Sequence, residues 1–183
     1  MYPDRLIAFC CVDPRMPRYL EQLEVFVEHY GCKGFGEHIN SLAFDDERNL
    51  AIYEKCNEYG LPLVFDLTRD YCWDDPQLSR LERCLQMYPN VKFVGHGPAF
   101  WAAISADYTG GGGYPTGPIV EGGAVDRLLA EYDNLYADIS AHSGYNAMTR
   151  DPEYIIGFVE RHWRKLLLGS DVMGYGWDIP QIR

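Results

Sequence analysis

The sequence predicts a parallel α/β fold in one domain, residues 1–183, and three observations carry that prediction. Short apolar runs recur along the chain, each ends in a polar or glycine-bearing tip, and the stretches between them place apolar residues at helical three-and-four spacing. Parallel strands need crossover connections, which usually contain a helix, so this alternation points to one sheet of parallel strands. An open doubly wound sheet and a (β/α) barrel both satisfy the pattern. In either, chemistry collects at the C-terminal ends of the strands.

Taken in order, LIAFCCVDP (6–14) reads as the first strand, followed by a helix over Tyr19–Tyr30. CKGFGEH (32–38) precedes a helix over Arg48–Tyr59, and LPLVFDLTRD (61–70) precedes one over Gln77–Tyr88. VKFVGHG (91–97) has the β-branched and aromatic residues that suit a buried strand, closed by a glycine. Phe100, Trp101, Tyr108 and Tyr114 follow as core or lid packing. The glycine run at 110–113, with Pro115 and Pro118 after it, contains no phosphate-binding fingerprint and reads as a surface loop or an active-site flap. A helix over Gly123–Tyr132, the strand-bearing NLYADISAHSG (134–144), a helix over Pro152–Trp163 and KLLLGSDVMG (165–174) complete the series.

The expected strand tips carry Asp13, Glu37 with His38, Asp66, His96, His142 and Asp171, where a purely structural sequence would place Gly, Asn and Ser. Each has a structural alternative. Asp171 is a candidate helix N-cap or turn residue, Asp66 a partner for Arg69, and Glu37 with His38 a solvated pair. His142 reads as a loop hydrogen-bonder, and His29 and His162 as surface or packing residues on helices. Asp138 lies inside an apolar strand, and a buried carboxylate is costly unless paired, so it requires a partner.

With 47% hydrophobic and 14% aromatic residues the chain has ample material for a core. A net charge of -11, with no local basic cluster, disfavours nucleic acid and anionic membrane surfaces as partners. No run approaches the length of a membrane helix. The cysteines form no CxxC pair, which argues against a zinc finger or disulfide framework and for reduced thiols in the cytoplasm.

VKFVGHG followed by LLLGSD, with CKGFGEH upstream and PTGPIVEGGAVDRLLAEYDNLYADISAHSGYNAMTRDPEY between, resembles the amidohydrolase-related family of metal-dependent TIM-barrel hydrolases and nonoxidative decarboxylases. The resemblance implies a (β/α)8 barrel, with His96 in the sixth-strand position and Asp171 at the end of the eighth. It covers about six β/α units, so it also implies that the first two strands and the closing helices are absent. Either an open sheet edge that favours a homo-oligomer, or a chain that is part of a longer product, would follow. The implied activity is hydrolysis of a small amide, ester, lactone or carboxylic acid through a metal-activated water, with decarboxylation as the alternative within the family. The resemblance implies Asp171 as general base. From this chain's own strand tips His96, Asp171, Asp66 and Glu37 are the candidate metal ligands, a set that differs from the family's. His96 either binds the metal or polarises the substrate carbonyl as a catalytic residue, with zinc the first metal and manganese or iron the alternatives. Two departures matter: no HxH pair exists anywhere in the chain, and Asp66 stands where the family's fifth strand usually ends in histidine. A noncatalytic member that has lost its metal is therefore the competing reading.

Overall fold

A computed structural model describes residues 4–111, 113–174, 176–177 and 179–182. Its sheet has five parallel strands in sequential order: β1 (Phe35–His38), β2 (Pro62–Asp66), β3 (Lys92–His96), β4 (Leu135–Asp138) and β5 (Leu166–Leu167). Helices α1 (Tyr19–Glu28), α2 (Glu47–Tyr59), α3 (Ser79–Met87), α4 (Pro98–Ala102), α5 (Ala124–Glu131), α6 (Ala141–Thr149) and α7 (Pro152–His162) connect and cover them. This is an α/β fold, an arc of a (β/α) barrel. No helix among the described residues is long and apolar enough to cross a membrane, and the six cysteines are free.

Strand alternation divides the sheet into two faces. Phe35, Leu63, Phe65, Phe93, Leu135 and Ala137 are fully buried and pack under the helices with Phe44, Ile52, Tyr53, Leu81 and Phe100. Val64, Asp66, Val94, His96, Tyr136 and Asp138 project to the other face, in barrel terms the interior. The pairings Asp66↔His96, Val94↔Tyr136 and Gly95↔Ala137 set these side chains level across β2, β3 and β4. The register between β1 and β2 shifts between Phe35 and His38, beside Glu37.

Polar side chains fix where the helices start. The Asp46 carboxylate accepts from Arg48 N at the head of α2, and Asp151 from Tyr154 N at the head of α7, where Pro152 occupies the first turn. Asp74 accepts from Arg80 N and Leu81 N and so serves the first turn of α3 from outside the helix.

Two expectations are corrected. The first apolar run is not a full strand: it pairs with β1 through one bridge, Cys10↔Phe35, flanked by Lys33 N→Ala8 O and Gly36 N→Cys10 O hydrogen bonds, and Leu6 and Ile7 are 67% and 74% exposed. Apolar composition alone does not bury a segment that lacks a covering layer. The run NLYADISAHSG is strand only to Asp138; Ser140 N then donates to Asp138 Oδ1, the chain turns, and α6 begins at Ala141.

Candidate metal centre

Three of the expected site residues converge. Glu37, Asp66 and His96 come from the tips of three adjacent parallel strands, and each offers a ligand atom such that all three atoms lie within 4.8 Å of one another. His96 is 5% exposed. Its Nε2 lies 3.6 Å from Glu37 Oε1, and its Nδ1 lies 3.1 Å from Asp138 Oδ2, so the ring is held from both sides. Ser140 Oγ donates to the same Asp138 oxygen, and Trp101 Nε1 donates to the Asp138 carbonyl at 2.9 Å.

Asp138 thus has the partner its burial demands. Burial works against its ionised form, yet hydrogen bonds from His96 and Ser140 hold its pKa below the usual carboxylate value. For His96 the balance falls the other way: burial lowers the pKa, but the Asp138 hydrogen bond and the charges of Asp138, Asp66 and Glu37 together raise it. Burial raises Asp66 and Glu37, His96 offsets part of that rise, and the neighbouring Asp171 carboxylate adds to it in both. Two neighbouring acids that resist ionising together, Glu37 and Asp66, form a site that a cation would relieve.

Asp66 carries a further sign. Its Oδ1 is buried without a hydrogen-bond partner among the described residues, and it makes no ion pair with Arg69, which corrects that structural reading. Gly97, at φ 97°, closes β3 beside it; a side chain there would overlap Asp66 Oδ1 and crowd the Leu67 backbone. Gly169 plays a similar part across the site, where an added Cβ would lie 2.9 Å from Asp138 Oδ1.

The remaining expected residues fall elsewhere. Asp171 acts electrostatically on Glu37 and Asp66 but stands outside the three-residue cluster; no helix follows it directly, and its backbone is left-handed at φ 53°. His38 is not solvated: at 1% exposure it bonds Asn49 Oδ1 at 3.1 Å and Asn40 Nδ2 at 3.2 Å, and burial lowers its pKa to about 4, a neutral core histidine. Asp13 forms a surface ion pair with Arg15. His142 is exposed on α6, His29 is exposed at the end of α1, and His162 is buried against Asp126. Asp138 and Ser140 are the site residues that sequence reasoning did not assign. Their signal was present in the need of Asp138 for a partner, but the strand had been read past its true end.

Chemically, two carboxylates and one imidazole form an N/O donor set that suits zinc, manganese or iron(II). A ligating histidine ordinarily donates its other ring N–H to a carboxylate, and Asp138 stands at Nδ1 in that position. The orphaned Asp66 oxygen and this oriented ring make the residues present a fit for a divalent cation.

A family model described as Amidohydrolase matches residues 1–177. Among solved structures the chain is similar to an uncharacterized TIM-barrel protein from Bordetella bronchiseptica, with TM-score 0.60 and 15% identity, covering 92% of this chain and 55% of that one. It is also similar to 5-carboxyvanillate decarboxylase from Sphingomonas paucimobilis, with TM-score 0.53, 16% identity, and coverage of 93% and 57%. A third is a dihydroxybenzoic acid decarboxylase from Polaromonas sp. JS666 with bound manganese and the inhibitor 2-nitroresorcinol, with TM-score 0.51, 15% identity, and coverage of 93% and 60%. The chain spans between 55% and 60% of the length of these three structures. Comparison with curated proteins gives no match.

Proposed function

Because this chain belongs to the amidohydrolase family, we propose that it is a metal-dependent hydrolase whose Glu37, Asp66 and His96 hold one divalent cation at the mouth of the sheet. The observation that supports this most is the buried, unpartnered Asp66 Oδ1 in a cluster whose other two donors are within 4.8 Å. When bound, the cation supplies Lewis-acid polarisation of a substrate carbonyl and a lowered pKa for water. The chain's own residues do the rest. Asp138 and Ser140 fix the His96 ring so that Nε2 faces Glu37 and Asp66. Asp171, beside the cluster, accepts the proton that the attacking water releases.

Charge indicates the substrate class. Glu37, Asp66, Asp138 and Asp171 surround one histidine, and no lysine or arginine contacts any of these carboxylates among the described residues. Even with a divalent cation the site retains little positive potential, so an uncharged amide, ester or lactone is better accommodated than an anion. A second reading within the family is nonoxidative decarboxylation. The structures named above include two decarboxylases, which carries the same suggestion.

The two are separated by assaying the metal-loaded chain against small lactones and aryl esters on one side, and against hydroxybenzoic acids, by release of carbon dioxide, on the other. Turnover of the neutral substrates that disappears in Asp66→Asn supports the hydrolase. Turnover of the acids alone supports the decarboxylase. No turnover of either by metal-loaded chain contradicts both and favours the noncatalytic reading.

A further inference from the structure

Regular strand alternation would turn Glu37 away from the metal centre. Side chains alternate between the faces of a sheet, so a strand with Phe35 under the helices would place Glu37 there too, with Gly36 and His38 on the opposite face. The observed strand does otherwise. Phe35 pairs with Leu63 and His38 with Phe65, so three steps along β1 match two along β2, and the register shifts between the two pairs. Phe35, Leu63 and Phe65 are fully buried on the helix side. His38 joins them at 1% exposure, its ring 5.4 Å from that of Phe35 and 5.6 Å from that of Tyr53 on α2. The extra residue makes a bulge, a feature that re-aims a side chain, and Glu37 is left beside Asp66 and His96.

A buried polar network holds His38 in that register. Asn49, in the first turn of α2, donates Nδ2 to Ala43 O at 2.8 Å, which leaves its Oδ1 facing His38 Nε2 at 3.1 Å. The ring nitrogen opposite that oxygen is therefore the one that carries the proton. Asn40 Nδ2, 3.2 Å from the same ring nitrogen, donates to Asn49 Oδ1 at 3.1 Å, and Asn40 Oδ1 accepts from Leu42 N at 3.0 Å. Asn40 and Asn49 are themselves buried. An apolar side chain at 38 would fill the core equally well, but only a donor ties the end of β1 to α2.

We propose that His38 is the positioning residue for Glu37: its hydrogen bond to Asn49 pins the β1 bulge and so turns the Glu37 carboxylate into the metal site. This role rests on the reading of Glu37, Asp66 and His96 as metal ligands. His38 itself stands outside that cluster, packed in the core under α2. A one-residue slip of the strand would send Glu37 to the other face, which is why the bond is aimed at the register and not at the metal.

Zinc titration of the full chain by calorimetry, with urea unfolding beside it, separates positioning from packing. His38→Phe keeps a ring in the core but removes the donor, and is expected to weaken zinc binding about tenfold or more. His38→Gln, which keeps a donor within reach of Asn49, is expected to restore most of that loss. Because His38 acts through Glu37, a variant carrying both His38→Phe and Glu37→Gln is expected to bind no more weakly than Glu37→Gln alone. Reduced stability with parental zinc affinity in His38→Phe, equal losses in His38→Phe and His38→Gln, or additive losses in the double variant would each overturn the proposal. A parent that binds no zinc, or a Glu37→Gln variant with parental affinity, would overturn the reading of the site and this role with it. Should His38→Phe fail to fold, Asn49→Leu, which removes the same bond from the side of α2, takes its place under the same expectations.

Discussion

At the scale of single residues, the His96–Asp138 pair sets how the metal ligand is held. One carboxylate oxygen bonds Nδ1 at 3.1 Å and is itself bonded by Ser140, while its mate accepts from Ser140 N at 3.0 Å. An aspartate so fully engaged orients the imidazole rather than reacting. Asp138→Asn keeps the shape but loses the charge that stabilises Nδ1–H, and outer-shell changes of this kind cost about 10- to 100-fold in metal affinity. Zinc titration by calorimetry is expected to show that loss in a variant that still unfolds cooperatively. Parental affinity in Asp138→Asn would mean that the pair has no part in metal binding.

At the scale of elements, the junction from β3 to α4 is the tightest point. Gly97 adopts a φ of 97° and admits no side chain between Asp66 and the Leu67 backbone, while Leu67 N and Ala99 N bond His96 O and Leu67 O and lock β2 to β3. Gly97→Ala is therefore expected to lower unfolding free energy by about 1–3 kcal/mol in urea and to weaken metal binding as well, because the clash falls on a ligand. Unchanged stability would show that the junction relaxes freely. The same elements show what was legible in the sequence. Helical periodicity located α1, α2, α3, α5 and α7 to within about two residues of their ends, and the parallel alternation was enough to bring Glu37, Asp66 and His96 to one mouth. α6 was missed because its sequence, AHSGYNAMT, is poor in helix formers. Its Gly144 instead packs against the Ile139 backbone, a tertiary contact with no local signature. Asp138 was not recognised as a site residue for a related reason: the strand ends where Ser140 bonds back to it, and apolar runs do not record such turns. The alternative pairing of Asp66 with Arg69 stayed open in the sequence because proximity along the chain says nothing about which face of the sheet a carboxylate joins.

At the scale of the molecule, the layers are tied together by polar hubs as well as by the core. Asp126 on α5 accepts from Tyr154 Oη at 2.7 Å, Arg161 Nη2 at 2.7 Å and His162 Nε2 at 2.6 Å, joining α5 to α7. Burial alone would raise its pKa, but these three donors hold it well below the usual carboxylate range. Its ionised form therefore stabilises the fold at neutral pH, and that contribution is lost as pH falls below the unfolded value near about 4 toward the lower folded one. Asp126→Asn is expected to lose about 1.5–3 kcal/mol at pH 7, with the gap from the parent narrowing as the solution is acidified below about pH 4. A constant gap across that range would assign the loss to packing rather than to charge.

Metal stoichiometry reads out most directly whether three strand tips, without an HxH pair, make a metal site. The parent chain and a Glu37→Gln, Asp66→Asn, His96→Ala triple variant would each be loaded with zinc or manganese, desalted, checked for folding by circular dichroism and measured by elemental analysis. About one equivalent in the parent and none in the folded variant is the predicted result. A folded parent that retains no metal, or a variant that retains as much as the parent, would mean that Glu37, Asp66 and His96 do not form a metal site.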